Sequence, residues 1–173
     1  EIAKKSDIIF ICLPTPMKKN GSCDLSIIDN ILNELNKLQC SNTVVIKSTV
    51  QIGTTNRFSK KYKDLRFVFN PEFLTEANFI EDFKNQNRII LGGSRVATTY
   101  VKQFYSSIFP NSIIIQTSPT YAEMVKYLTN TYLATKVSFA NEMKNICDKL
   151  NIDYDKVVEY AIYDERLGNT HWS

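Results

Sequence analysis

The sequence predicts an α/β fold in which a doubly wound parallel sheet is followed by a helical region with one long helix. Three observations lead to this prediction. Short runs that are apolar at nearly every position recur through the first 117 residues, as is typical of strands covered on both faces. Helical stripes of apolar residues separate these runs. Between Pro119 and Leu150 no Gly or Pro occurs, which indicates one long helix.

The ranges of the elements follow from these patterns. Five strands are predicted, at 8–13, 43–47, 66–69, 88–91 and 112–116. Helices are predicted at 29–39, 54–62, 98–108, from 119 to about 150, and at 154–163. Pro119 followed by Thr120 and Glu123 has the form of a capping box at the start of the long helix. A domain boundary is expected there, between 1–117 and 118–173.

The composition argues against several classes of protein. The chain has 173 residues, of which 43% are hydrophobic and 23% charged, as in a globular domain. Its net charge of +3 is too small for a dedicated nucleic-acid-binding protein. Its longest apolar run falls far short of the roughly 20 residues of a membrane span. The four cysteines form no CxxC pair and no signal peptide is readable, so we expect a cytoplasmic protein without a zinc site or a disulfide framework.

Hydroxyl-bearing segments follow two neighbouring strands of the predicted sheet. Pro14-Thr15-Pro16 comes after the first strand, and Ser48-Thr49-Val50 comes after the second. Ligands of open α/β sheets bind just outside the carboxyl ends of the strands, where hydroxyls and free backbone amides reach a dinucleotide. Either segment alone is more simply interpreted as an ordinary strand ending, but the two together favour a binding site.

Two carboxylates, Glu72 and Glu76, stand four residues apart after the third strand. If this segment is helical, both point to one side. Crowding then raises the pKa of one carboxyl group, as suits a general base. The alternative interpretation is a solvated acidic turn.

Lys126 and Asn130 are spaced to share one face of the long helix, with Glu123 one turn earlier. The charge of a lysine and the amide of an asparagine stabilise an oxyanion in a cleft, although a solvent-facing stripe has the same pattern. The lone His171 favours neither a metal site nor a nucleophilic triad. None of the cysteines is interpreted as a nucleophile.

Eight collinear segments together resemble the UDP-glucose/GDP-mannose dehydrogenase family of nucleotide-sugar 6-dehydrogenases. One such segment would be a weak signal, whereas eight in the same order are specific. They are CLPTP (12–16), KSTV with GTT (47–55), NPEFLTE (70–76), EDF (81–83), RIILG (88–92), AEMVKY with Asn130 (122–130), KVSFANE (136–142) and RLGN (166–169).

The resemblance implies a Rossmann-type fold. Residues 1–117 would be the C-terminal part of its NAD-binding domain, and 118–173 would begin a central helical domain that forms a homodimer. It implies NAD as the cofactor and a UDP-sugar as the substrate, with UDP-glucose preferred to GDP-mannose or UDP-N-acetylmannosamine. Two hydride transfers through a cysteine thioester would convert the C6 alcohol to the carboxylate. The alternative is a non-catalytic remnant or interaction module of the same fold.

The resemblance also implies roles for individual residues. Contacts to NAD or its nicotinamide pocket would come from Thr15, Ser48, Thr49 and Glu76. Thr49 would help to hold the hydrolytic water, and Glu72 would be the base that activates it. Lys126 and Asn130 would stabilise the oxyanion. Contacts to the substrate would come from Glu72, Phe73, Leu74, Lys126, Asn130 and Arg166, the last from the neighbouring subunit.

Departures from the family pattern are expected to matter. The family's glycine-rich dinucleotide loop would precede Glu1, and its catalytic-cysteine segment would follow Ser173. The chain by itself is therefore expected to be an inactive fragment. Gln51-Ile52 also stand where the family has Pro-Pro, which predicts a less rigid turn after Thr49.

Overall fold

The computed structural model describes residues 2–75 and 77–172. In this part of the chain five strands form one sheet in the order β1-β2-β3-β4-β5. The strands are β1 (Ile8–Ile11), β2 (Thr43–Ile46), β3 (Arg66–Phe69), β4 (Arg88–Gly93) and β5 (Ile113–Thr117). All five predicted strands are therefore confirmed, with ends that shift by no more than two residues.

The helices alternate with these strands and then continue alone. They are α1 (Ile2–Lys5), α2 (Ser26–Lys37), α3 (Thr54–Lys61), α4 (Phe79–Lys84), α5 (Arg95–Ile108), α6 (Pro119–Leu150) and α7 (Tyr154–Ala161), followed by a 3₁₀ turn at Glu165–Leu167. The sequence analysis missed α1 and α4. It also began α5 three residues late, because the Ser94 hydroxyl accepts a hydrogen bond from the Ala97 N–H and caps the helix there.

One pairing departs from the predicted parallel sheet. The pairs β1–β2, β2–β3 and β4–β5 are parallel, whereas β3 and β4 are antiparallel, with Phe69 opposite Gly92. A parallel connection needs a crossover element that packs on a face of the sheet. The helix between these strands, α4, buries none of its residues, so the chain turns back at the same edge instead. The α/β class is confirmed, and the sheet is mixed.

Both faces of the sheet are covered, as the doubly wound prediction requires. On one face, Ile28 and Leu32 of α2 and Phe58 of α3 pack against β1, β2 and β3. On the other face, Val101 and Tyr105 of α5 pack against β2, β3 and β4. The strand β1 lies at the edge and is only partly buried, so its Phe10 is 37% exposed.

The chain divides into two compact units, Glu1–Lys126 and Tyr127–Ser173. The predicted boundary at 117 and 118 stays a prediction. The 32-residue helix α6 confirms the long helix that the sequence predicts. Within the second unit, Asp153 caps α7 and Tyr154 donates a hydrogen bond to the Trp172 carbonyl at 2.8 Å. Across residues 2–75 and 77–172, no helix is both long and apolar enough to span a membrane.

Candidate functional site

The loops that follow β1, β2 and β3 leave the sheet at the same edge because the three strands are parallel. Backbone hydrogen bonds hold these loops side by side. The Lys47 N–H donates to the Ile11 carbonyl at 2.9 Å, and the Asn70 N–H donates to the Ile46 carbonyl at 2.9 Å. The first unit therefore brings the predicted hydroxyl segments next to the segment that contains Glu72.

The hydroxyl groups after β1 and β2 have different surroundings. The Ser48 hydroxyl is buried, donates to the Leu13 carbonyl at 2.7 Å and accepts from the Leu13 N–H at 2.9 Å. It therefore fixes the end of β1 and has little capacity left for a ligand. Thr15 donates to the Thr49 carbonyl at 2.7 Å. The Thr49 side chain is exposed, and its hydroxyl has no partner in the described part of the chain.

Lys126 and Glu72 form a partly buried ion pair. The Lys126 Nζ donates to Glu72 Oε1 at 2.7 Å and to the Glu72 carbonyl at 2.6 Å. The Leu74 N–H donates to Glu72 Oε2 at 2.8 Å. Both carboxylate oxygens of Glu72 are thus bonded, and the Lys126 side chain is only 6% exposed. The solvent-facing alternative for Lys126 is therefore wrong.

The pKa of Glu72 is lowered. Burial raises this pKa, but the hydrogen bonds from Lys126 and Leu74 and the positive charges of Lys126 and Lys47 outweigh that effect. The sequence analysis expected crowded carboxylates and a raised pKa, and for Glu72 that expectation is wrong. The other carboxylate, Glu76, lies outside the described residues. The segment 71–75 is also not helical.

A cavity of about 490 Å³ opens beside the Glu72 loop. Its wall comes from the carboxyl edge of the sheet, from α4 and from the start of β4. The lining residues are Lys47, Pro71, Glu72, Phe73, Leu74, Thr75, Asp82, Phe83, Asn85, Gln86, Asn87 and Arg88. The Phe73 ring makes cation–π contacts with two side chains. Arg88 Cζ lies 4.5 Å and Lys126 Nζ lies 5.7 Å from the ring centroid.

Lys47 is a cavity residue to which the sequence analysis gave no role. Its Nζ donates to Asn70 Oδ1 at 3.0 Å, and that oxygen also accepts from the Tyr105 hydroxyl at 2.6 Å. Burial lowers the pKa of Lys47, while the negative charge of Glu72 acts in the opposite direction. The sequence does contain a signal for this residue. Lys47 is a cation directly after a fully apolar strand, at the end of the sheet where ligands bind.

The predicted capping box at the start of α6 is wrong. Glu123 does not bond to its own helix; its oxygens accept from the N–H groups of Gly53 and Thr55, in the turn before α3 and in its first residues. The reason is that the amides at the start of α3 lack acceptors of their own.

Asn130 and Arg166 belong to the second unit. Asn130 is an exposed residue of α6, and the exposed Arg166 pairs with Asp164, whose Oδ1 lies 2.9 Å from Arg166 Nε. Their predicted roles stay predictions. No group of three or more His, Cys, Asp or Glu residues that could hold a metal ion occurs within the described ranges.

Comparison with known proteins identifies the family. The sequence profile of the UDP-glucose/GDP-mannose dehydrogenase family's NAD-binding domain matches residues 1–111, and that of its central domain matches residues 120–172. The chain belongs to this family. The resemblance inferred from the eight sequence segments is thereby confirmed. NAD is the cofactor of the matched domain.

Individual members of the family match most of the chain. UDP-glucose 6-dehydrogenase TuaD of Bacillus subtilis is 34% identical over 95% of this chain, which is 37% of its own length. UDP-glucose 6-dehydrogenase of Rickettsia bellii is 35% identical over 97% of this chain and 40% of its own. The chain thus spans about two fifths of the length of these relatives.

Solved structures of the family have the same fold. A UDP-glucose dehydrogenase from the archaeon Pyrobaculum islandicum superposes with a TM-score of 0.89 at 30% identity, covering 98% of this chain and 42% of the other. A ternary complex of GDP-mannose dehydrogenase from Pseudomonas aeruginosa has a TM-score of 0.81 at 30% identity, covering 99% and 42%. The Rossmann-type fold class is confirmed.

The residues at the carboxyl edge fit the family's cofactor. Dinucleotides bind outside the carboxyl ends of parallel strands. The Thr49 hydroxyl, exposed and unpartnered among residues 2–75 and 77–172, lies at such an end, beside the Thr15 hydroxyl that bonds to the Thr49 carbonyl. Ser48 fits less well through its side chain, since both of its short hydrogen bonds go to Leu13.

Proposed function

We propose that the chain is part of an NAD-dependent nucleotide-sugar dehydrogenase that oxidises the C6 alcohol of UDP-glucose to the carboxylate of UDP-glucuronate. The observation that carries this proposal is the buried Lys126 ammonium, held 2.7 Å from the Glu72 carboxylate at the edge of the cavity. A buried ammonium beside a carboxylate supplies an oxyanion donor and a proton acceptor in one place.

The overall reaction converts one alcohol, two NAD⁺ and one water into one carboxylate, two NADH and three protons. When bound, NAD supplies the hydride acceptor. The sugar carbon would be held as a thioester on a cysteine outside the four of this chain, and water would then cleave that bond. The described residues therefore have two tasks, to stabilise negative charge on oxygen and to take a proton from water.

The Lys126–Glu72 pair connects these two tasks. With its pKa lowered, Glu72 is ionised at neutral pH, but both of its oxygens already accept hydrogen bonds. If Lys126 turns its ammonium from Glu72 Oε1 to a substrate oxyanion, Glu72 loses a hydrogen bond that favours its charged form. Its pKa then rises, and it becomes a better acceptor for a proton from water.

The cofactor contacts are assigned to the edge of the sheet. Thr15, Thr49 and Glu76 would face NAD, and Ser48 would contribute through its backbone. Thr49 would also help to hold the water that Glu72 activates. The exposed Thr49 side chain and its unused hydroxyl, within the part of the chain that is described, support this assignment.

The substrate contacts are assigned to the Glu72 loop and the helical region. Phe73 and Leu74 line the cavity beside Glu72 and would present their backbone to the sugar nucleotide. Lys126 and Asn130 would stabilise the oxyanion. Arg166 would reach the substrate from the second subunit of a homodimer, in a cytoplasmic enzyme.

UDP-glucose is proposed over other nucleotide sugars because relatives named UDP-glucose 6-dehydrogenase are 34% and 35% identical to nearly the whole chain. Similar structures also include a GDP-mannose dehydrogenase and a UDP-N-acetyl-mannosamine dehydrogenase, each at 30% identity. These two substrates are the competing possibilities. A non-catalytic protein that keeps the fold is the alternative outside the enzyme class.

The test is NADH formation by a full-length protein that carries this segment, with each of the three nucleotide sugars. We expect the highest kcat/KM with UDP-glucose, and a preference for another sugar would overturn the substrate assignment.

Lys126→Ala should lower kcat by about 100- to 1000-fold with a smaller change in KM. Lys144→Ala, at an exposed lysine of the same helix, is the matched control. Turnover of none of the sugars would favour the non-catalytic alternative.

A further inference from the structure

Glu123 is a carboxylate with no exposed surface, and the proposed reaction does not use it. Its Oε2 accepts from the Gly53 N–H at 2.6 Å, and its Oε1 accepts from the Thr55 N–H at 2.9 Å. A buried polar group is costly unless hydrogen bonds compensate it. Here the compensation comes from backbone groups about seventy positions earlier in the chain, so Glu123 connects two distant segments.

The segment that Glu123 holds begins with Thr49. Between Thr49 and the start of α3 the chain makes a turn that ends at Gly53, whose φ of +88° is in the left-handed region. The Gly53 and Thr55 N–H groups at the end of this turn both donate to Glu123. Next to them the Asn56 amide donates to the Thr120 hydroxyl at 3.1 Å.

The first turns of α6 also hold the loop that follows β3. Lys126, one helical turn after Glu123, bonds to Glu72. Ala122, the neighbour of Glu123, packs against Gly92 of β4, where an added Cβ would lie 2.6 Å from the Ala122 Cβ. The same rigid helical segment therefore contacts the loop after β2 through Glu123 and the loop after β3 through Lys126.

We propose that Glu123 is a positioning residue that sets the place of Thr49 relative to Lys126 and Glu72. The inference rests on the proposed function, because Thr49 is there a cofactor and water contact. The turn has Gln51 and Ile52 and no proline that would stiffen it. Its end is tied to α6 by the two hydrogen bonds to Glu123 and by the neighbouring hydrogen bond from Asn56 to Thr120. A shift of about 1 Å in a contact of this kind lowers the rate by up to roughly 100-fold.

The experiment uses the full-length protein with Glu123→Gln, which keeps the shape of the side chain but presents an N–H group to one of the two backbone donors. We expect kcat to fall by about 10- to 100-fold, while KM for the nucleotide sugar changes little. Amides in the segment 49–56 should exchange hydrogen faster, as followed by mass spectrometry of peptides. Val101→Ala, on the buried face of α5, is the control for a loss of stability without a change at this turn.

A second variant guards against a failure to fold. Glu123→Asp keeps the carboxyl group but shortens the reach, so it should retain more of kcat than Glu123→Gln and show intermediate exchange. Equal kcat in the Glu123 variants and Val101→Ala, or unchanged exchange in 49–56, would overturn the inference. If the unsubstituted protein oxidises no nucleotide sugar, the proposed function fails, and the exchange measurement still decides whether Glu123 holds the turn.

Discussion

Lys126 and Asn130 have the same spacing on a helix face as countless solvent-exposed pairs, yet only Asn130 is exposed. The Lys126 ammonium lies against the Glu72 carboxylate and carbonyl and above the Phe73 ring. Its charge is therefore compensated by specific groups. An oxyanion donor needs this combination of low exposure and an exchangeable partner, because the same ammonium in water would stabilise an oxyanion far less.

The Lys126–Glu72 pair predicts a pH dependence of stability. The pKa of Glu72 is lower in the folded state than its ordinary value of 4.5. The ion pair therefore makes its full contribution to stability when the pH is above 4.5. This contribution is lost as the pH falls through the lowered value. Lys126→Met should therefore destabilise the protein more at neutral pH than at about pH 3, as measured by urea unfolding.

The matched control for that prediction is Lys37→Met. Lys37 pairs with Glu34 on the surface of α2, and both side chains are more than half exposed. Such pairs contribute little, so this variant should change stability only slightly at either pH. An equal loss of stability at neutral and acidic pH in Lys126→Met would show that packing, and not the ion pair, explains the effect.

At the scale of single residues, the sequence was enough to identify candidate functional side chains but not their hydrogen-bond and ion-pair partners. It singled out Lys126 and Glu72 but did not pair them. It assigned Glu123 to its own helix, although Glu123 accepts hydrogen bonds from N–H groups at the start of α3. It predicted that Ser48 contacts the cofactor, although the Ser48 hydroxyl donates a hydrogen bond to the Leu13 carbonyl just after β1. Partners that lie 35 to 70 positions apart leave no local pattern in the sequence.

At the scale of elements, the antiparallel turn between β3 and β4 shapes the site. Because β4 runs back from the carboxyl edge, its first residue, Arg88, lies at that edge over the Phe73 ring. A parallel β4 would place Arg88 at the opposite edge of the sheet. Alternating strand and helix patterns do not distinguish these arrangements, since the direction depends on whether the connecting helix packs on the sheet.

The contact between β4 and α6 gives a prediction for Gly92. A Cβ at this position would lie 2.6 Å from the Ala122 Cβ and 2.9 Å from the Pro119 Cα. Gly92→Ala should therefore lower the free energy of unfolding by about 1–3 kcal/mol, as measured by urea unfolding. The double variant Gly92→Ala/Ala122→Gly should lose less than the sum of the two single variants, because the closest clash is removed. Strict additivity would mean that Ala122 is not the obstacle.

At the scale of the whole molecule, β1 is one of the two edge strands of the sheet. It pairs only with β2 among the described residues, and no proline or charge occurs within Ile8–Ile11. Phe10 stacks near Phe104 of α5 but remains 37% exposed. An apolar strand edge of this kind pairs readily with other chains.

The 173-residue chain made alone is therefore expected to self-associate, as measured by light scattering. Phe10→Lys should reduce the association, because a charge on an edge strand disfavours pairing. The control Phe104→Lys removes the same aromatic contact and adds the same charge on α5, so it leaves the strand edge unchanged. An equal reduction by both variants would assign the association to the aromatic face, and a monomeric unsubstituted chain would contradict the prediction.

The sequence by itself determined the alternation of strands and helices, the long helix after Pro119 and the family, because apolar periodicity and short motifs are local properties. It also determined that hydroxyl segments follow adjacent strands. The tertiary structure alone decided the direction of β4, the pairing of Lys126 with Glu72 and the attachment of Glu123 to α3. These features depend on which buried groups meet after packing, where each donor and charge must find a partner across the fold.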